Sequence, residues 1–180
     1  MPRSVLIGTI GYHNLRNHSL GPILQSRIEA LDWGEWVEVD EMNWGPIAIV
    51  QKFEAMPEPK DRVVLLAATG RDRRVGTITY YHWRGGIPSL ASVQARVAEA
   101  VTGVTSLDNL LVIGEYFKIW PSQTVVIDVE PGAEASGETL TADMEARIPD
   151  ILQAVHTAAT AAWDDLPPME GLHGGQFELP

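Results

Sequence analysis

Apolar positions along this chain fall into two patterns: short unbroken runs, and longer stretches in which they recur every three or four residues. Residues 62–68 are a continuous apolar run, and residues 4–10 and 124–130 are largely apolar stretches that read as strands. Such runs belong to strands covered on both faces, as in a parallel sheet. Residues 36–40 alternate as a half-buried strand does, and 76–82 are rich in β-branched and aromatic residues, which favour strands. Between them, Ile23, Leu24, Ile28 and Leu31 keep helical spacing, with Pro22 suited to a first turn and Ser19 to a cap. Pro46 opens a short helix carrying Ile47, Val50 and Phe53. Leu90, Val93, Val97 and Val101 predict another, and Ser106 caps one carrying Leu107, Leu110, Leu111 and Phe117. Thr141 caps a last helix with Met144, Ile148, Ile151, Leu152 and Val155 on its buried face, kinked at Pro149.

Strands alternating with helices predict an α/β fold, a three-layer α/β/α sandwich of the phosphorylase or hydrolase kind. Its mostly parallel sheet has about five strands. The strand at 76–82 follows its predecessor without a helix, so it is expected to be antiparallel. One domain is expected over residues 1–163. The prolines, glycines and acids of 164–180 read as a poorly ordered acidic tail.

Composition narrows the function classes. The 180 residues are 45% hydrophobic and 21% charged, ordinary for a globular chain, with room for one sizeable core. A formal charge of −11 argues against nucleic acid or an anionic membrane surface as partner. There are no cysteines, which removes disulfides and thiolate chemistry. No apolar run approaches the ~18 residues of a membrane span, and no signal-peptide pattern opens the chain, so a cytoplasmic protein is expected.

Candidate chemistry gathers after the first strand. Gly8, Gly11 and Gly21 bracket a loop, residues 12–20, that leaves the carboxyl end of that strand, where open α/β sheets bind ligands and partners. Neither G-x-G-x-x-G nor G-K-[ST] is present, so no phosphate fingerprint is met. The loop carries His13, Asn14, Arg16, Asn17 and His18 with no evident nucleophile–base pair. Arg71, Arg73 and Arg74 read equally as contacts to an acidic partner or as solvated loop charges. Glu130, at a strand end before Pro131, reads as structural. Trp33, Trp36, Trp44, Trp83 and Trp120 flank loops or element ends, fitting either core packing or an interface, and His82, His156 and His173 have no assignable partner.

Four stretches together resemble the endopeptidases that mature [NiFe]-hydrogenases. They are the strand–loop–helix of residues 6–21; Asn43-Trp44-Gly45-Pro46 leading to residues 62–68 and Gly76-Thr77-Ile78; Leu107-Asp108-Asn109-Leu110-Leu111 running to Pro121; and residues 125–131 with Gly137-Glu138-Thr139-Leu140 and Ile148-Pro149. Their order spans nearly everything from residue 4 to about 157. The resemblance implies the sandwich already read from the pattern. It also implies a protein that clips a C-terminal extension from a hydrogenase large subunit after recognising its nickel through a Glu, an Asp and a His. Carried over residue by residue, those three positions are occupied here by His18, Ala67 and Gly103, and the acid preceding the first becomes Asn17. Neither Ala67-Ala68 nor residues 102–106 offer an Asp or His nearby.

The resemblance therefore implies an accessory factor that binds a large subunit or maturation partner without catalysis, with no cofactor expected although nickel serves the family. Tyr12, His18 and Arg71 are the expected partner contacts. The alternative is an active endopeptidase with relocated ligands in a residual cleft of His13, Asn17, His18 and Asp40. A remoter one is a small-molecule hydrolase or phosphorylase.

Overall fold

The computed structural model describes residues 2–103 and 106–180; Val104 and Thr105, within the 102–106 stretch, lie outside the described residues. Strands β1 (Val5–Thr9), β2 (Val37–Glu41), β3 (Arg62–Ala67), β4 (Ile78–Trp83), β5 (Gln123–Val129) and β6 (Glu170–Leu172) form one sheet in the order β2-β1-β3-β5-β4-β6. The first, second, third and fifth run parallel. β4 is antiparallel to β5, and β6 is parallel to β4. The antiparallel strand is thus where it was expected, but β5 inserts between it and β3. The short connection makes no hairpin; it passes across the end of β5.

Helices α1 (Leu20–Glu29), α5 (Ala142–Glu145) and α6 (Ile148–Thr160) pack on one face with Val5, Ile7, Val64, Leu66, Val125 and Ile127. Helices α2 (Pro46–Glu54), α3 (Leu90–Val101) and α4 (Leu107–Tyr116) pack on the other with Leu6, Val63, Leu65 and Val126. Alternate residues of β1, β3 and β5 point to the two layers, which is why their runs are apolar throughout. Arg62, 1% exposed, is the exception in β3. Its guanidinium donates to the carbonyls of Ala158 and Ala161 at 2.8 Å each, and so caps the end of α6.

Three expectations are corrected. The tail is ordered: β6 joins the edge of β4, and a 3-10 turn, Gly174–Phe177, follows with Phe177 buried. The sheet therefore has six strands. The face of α3 is rotated from the apolar stripe. Leu90 is 60% and Val101 81% exposed, while Ser92, Val93, Arg96 and Ala100 are buried. The reason is polar: Arg96 donates to the Phe177 carbonyl and to Asn109 Oδ1 (2.7 Å), so the helix turns a cation inward. The last helix is interrupted, not kinked: α5 ends at Glu145 and α6 restarts at Ile148, with Pro149 in its first turn.

Candidate functional site

β1 leads through α1 to β2 on one side of the sheet, whereas β2 leads through α2 to β3 on the other. Between β1 and β3 the strand order reverses, and the loops leaving their carboxyl ends part to open a crevice. A cavity of about 120 Å³ lies there. Gly11, Tyr12 and His18 line it from the loop after β1, Ala67, Thr69 and Gly70 from the end of β3, and Ser106 and Asp108 from the start of α4.

The wall after β1 is a 3-10 turn, Arg16–Ser19, running directly into α1. Ser19 precedes that helix as expected, but its hydroxyl accepts the Leu15 N–H at 2.8 Å instead of capping the helix. Asn17 is buried. Its amide donates to the Pro131 carbonyl (3.0 Å) and the Thr141 hydroxyl (3.1 Å), and its oxygen accepts the Thr141 N–H (3.0 Å). It ties the turn to the loop beyond β5 and is not a cleft residue. Gly11 donates to Asn43 Oδ1 at 2.9 Å, joining the same loop to the one after β2. These ties hold His18 at the cavity wall. Its Nδ1 is buried and, among the described residues, is the buried side-chain atom without a hydrogen-bond partner.

The β3 wall is held by a charged cluster. Asp128, 2% exposed, accepts the Thr69 N–H at 2.9 Å and Arg71 Nε at 3.1 Å, and Arg71 Nη2 reaches Asp108 at 2.9 Å. Burial pushes the Asp128 carboxyl up to about 6 although attraction to Arg71 pulls it down. Both acids and a face of the Tyr81 ring hold the Arg71 guanidinium, whose charge they favour. Glu130 accepts the backbone N–H groups of Arg71 (2.7 Å) and Arg73 (3.2 Å), shaping the loop after β3. Arg73 pairs with Glu170 at 2.8 Å.

The positions singled out in the sequence divide accordingly. His18, Ala67 and Tyr12 meet in the cavity. Gly103 has a φ of +91° and, among the described residues, no neighbour within 4 Å of where a side chain would begin. His13 is largely exposed, 3.3 Å from Glu41, and Asp40 of β2 pairs with Lys52 of α2; neither lines the cavity. Arg71 is not a free surface charge. The Tyr12 hydroxyl is raised by burial and by Glu134 and Glu99.

The sequence reading missed Asp108, Asp128 and the role of Arg71. One signal was available: Asp128 interrupts an otherwise apolar strand, and a carboxylate there must find partners. Several of the tryptophans and histidines pack or bond within the fold, while Trp44 is exposed. Trp33 donates to the Ile28 carbonyl and stacks on His156. Trp120 donates to the Leu111 carbonyl, His82 meets the Ser122 carbonyl, and His173 caps the last 3-10 turn.

As a metal centre the cavity does not fit. Ala67 and Gly103 present no donor, His18 offers one imidazole, and Asp108 is committed to Arg71. Among the described residues no group of three metal-binding side chains comes together.

Solved structures match this architecture. HybD, the hydrogenase maturating endopeptidase from E. coli, superposes with a TM-score of 0.62 at 16% identity, over 86% of this chain and 91% of that one. The chain has the fold of the hydrogenase maturation endopeptidases. The endopeptidase HycI from Escherichia coli matches at a TM-score of 0.58 and 17% identity, over 95% and 97% of the two chains. The [NiFe] hydrogenase maturation protease HycI from Thermococcus kodakarensis KOD1 matches at 0.55 and 17%, over 87% and 92%. No family model matches the sequence, and no curated protein does. The maturation-endopeptidase fold here carries β6 at its sheet edge, and among its described residues no helix is long and apolar enough to cross a membrane.

Proposed function

We propose that this protein is a cytoplasmic accessory factor of [NiFe]-hydrogenase maturation that binds a hydrogenase large subunit, or another maturation factor, without cleaving it. One observation carries this reading. In the crevice between β1 and β3, the β3 wall presents the methyl of Ala67, and the acids Asp108 and Asp128 are bound to Arg71. What remains is a small cavity of mixed character with an unpaired imidazole nitrogen at its wall. Its volume of about 120 Å³ falls below the ~300–1,000 Å³ usual for small-molecule sites and suits one protruding side chain of a partner. That also speaks against a small-molecule hydrolase or phosphorylase.

An active endopeptidase with relocated ligands has one observation in its favour. Asp128 is the register partner of Ala67 on the neighbouring strand, so an acid does stand one strand from the expected place. Its hydrogen bonds to Arg71 and Thr69 argue that it is structural.

The deciding experiment is co-purification of the tagged chain from its native host, with the large subunit sized by mass spectrometry. Recovery of an uncleaved large subunit is the expected result. Tyr12→Ala with His18→Ala is expected to weaken that complex by about 2 kcal/mol or more, the usual scale for central aromatic contacts. Arg71→Ala is unsuited to this test, because Arg71 holds the fold. Removal of the C-terminal extension by the purified chain alone would overturn the binding role in favour of the peptidase.

A further inference from the structure

The carboxyl-terminal segment is held by the rest of the molecule as a ligand is held. Its strand β6 pairs with β4 through Tyr81↔Glu170, His82↔Gly171 and Trp83↔Leu172, and the Arg84 N–H donates to the Leu172 carbonyl at 2.9 Å. Beyond it, Phe177 inserts its ring against Trp83, with centroids 6.2 Å apart and planes 15° apart. The guanidinium carbons of Arg71 and Arg96 lie 5.9 and 5.6 Å from the same ring. Arg96, itself 6% exposed, donates two N–H groups to the Phe177 carbonyl, at 3.2 and 2.5 Å. Glu178 accepts the Ser89 N–H at 2.8 Å, both serine hydroxyls of Ser89 and Ser92, and is held well below the usual carboxylate range by them.

Each of these contacts is of a kind that recognises peptides in general. An edge strand supplies a backbone ladder, a slot between an indole and two guanidinium groups takes an aromatic ring, and a buried arginine reads a carbonyl. Paired hydroxyls and an N–H then read a carboxylate. Leu172 is buried too, Arg73 pairs with Glu170, and the Gly174 N–H donates to the Gly85 carbonyl at 3.1 Å, whereas Gly171, Gly175 and Gln176 are exposed.

We propose that the groove along β4 and α3 is a peptide-recognition groove that the chain's own tail occupies as a self-ligand. Its ligand class is an extended peptide with an aromatic residue followed directly by an acid. Occupancy reaches the crevice through Arg71, which touches Phe177 on one side and holds Asp108 and Asp128 on the other. This site lies apart from the crevice between β1 and β3, and it stands whether or not the protein serves hydrogenase maturation.

The test uses the full chain carrying Phe177→Ala and Glu178→Gln, titrated with a synthetic peptide of residues 168–180. The weakened chain is expected to bind this peptide at least tenfold more tightly than the wild-type chain does, whose groove is filled. Peptides carrying either of the same two changes are expected to lose most of that affinity. Binding is also expected to move the amide resonances of Thr69 and Arg71. A folded double variant that ignores the peptide, or binds it regardless of the aromatic and acidic residues, overturns the proposal. Should the double variant fail to fold, amide hydrogen exchange on the wild-type chain decides. Gly174 and Leu179 exchanging together, at least tenfold faster than the amides of β3 and β5, shows a tail that leaves its groove. Exchange of those amides only with the core overturns it.

Discussion

At the residue scale, Arg71 decides how the crevice is built. It neutralises two acids, one of them almost fully buried, and it packs on Tyr81 and Phe177. Breaking a buried pair by removing one partner leaves an uncompensated charge, which costs about 3–5 kcal/mol. Arg71→Ala should approach the lower end of that range at pH 7.5, because Asp128 can escape by taking up a proton. At pH 5 the cost should be clearly smaller, since the Asp128 carboxyl, already up at about 6, is then mostly neutral with or without the arginine. Urea denaturation at the two pH values reads both numbers. Equal and negligible costs would mean that Arg71 is a solvated charge and not a clamp. The sequence left that question open, because the partners lie 37 and 57 residues away along the chain and no local pattern joins them.

At the element scale, the entry of α1 is set by contact with β1. Gly21 sits so close to Ile10 that an added methyl would run into the Ile10 carbonyl and amide. Gly21→Ala must push the first turn of α1 off the sheet, and overpacking of this kind costs about 1–3 kcal/mol. The 3-10 turn that runs directly into α1 carries His18, so the environment of that ring should change as well. Thermal unfolding measures the first effect and the His18 ring resonances the second; an unshifted resonance would detach the helix entry from the cavity wall. Elements of this sort were legible in the sequence where burial wrote the pattern. β1, β3 and β5 are covered on both faces and show largely apolar runs, and Ser106 caps α4 as expected, accepting the Asn109 N–H at 3.1 Å. The elements held by polar contacts were not legible. β6 is three residues long with two of them exposed and leaves no hydrophobic period to read, whereas α3 was read at its place but with the wrong buried face, because an inward-facing arginine orients it. The crevice was half legible. A likeness in the order of motifs brought His18 and Ala67 together, whereas the Arg71 cluster exists only once β3, β5 and α4 are assembled.

At the scale of the whole molecule, these groups give stability an unusual pH dependence. The Asp128 carboxyl is raised by burial, against the pull of Arg71 and the Thr69 N–H and helped by Asp108. A group with a raised folded-state value contributes stability that is complete below its unfolded value, about 3.9 for Asp, and is lost as pH rises through the folded one. Between pH 7 and about 4, then, acidification should strengthen the fold through Asp128. Partial discharge of a chain carrying −11 works in the same direction by easing self-repulsion. Glu178 and Glu38 act oppositely. Glu178 is held down by Ser89 and Ser92, and Glu38 by Lys60 and Lys52, so what they contribute is present above about pH 4 and fades below it. The expected profile rises gently from pH 7 to about 5 and falls below about 4, with the tail loosening first because Glu178 anchors it. Asp128→Asn isolates the buried carboxyl, for asparagine keeps an oxygen for the Thr69 N–H but cannot titrate. Relative to that variant, the wild-type chain should gain on the order of 2 kcal/mol on going from neutral pH to pH 4. Denaturant melts of the two proteins across that range provide the comparison. A flat difference, or one of opposite sign, would mean that Arg71 keeps Asp128 ionised throughout and that ion pairing, not burial, governs the floor of the crevice.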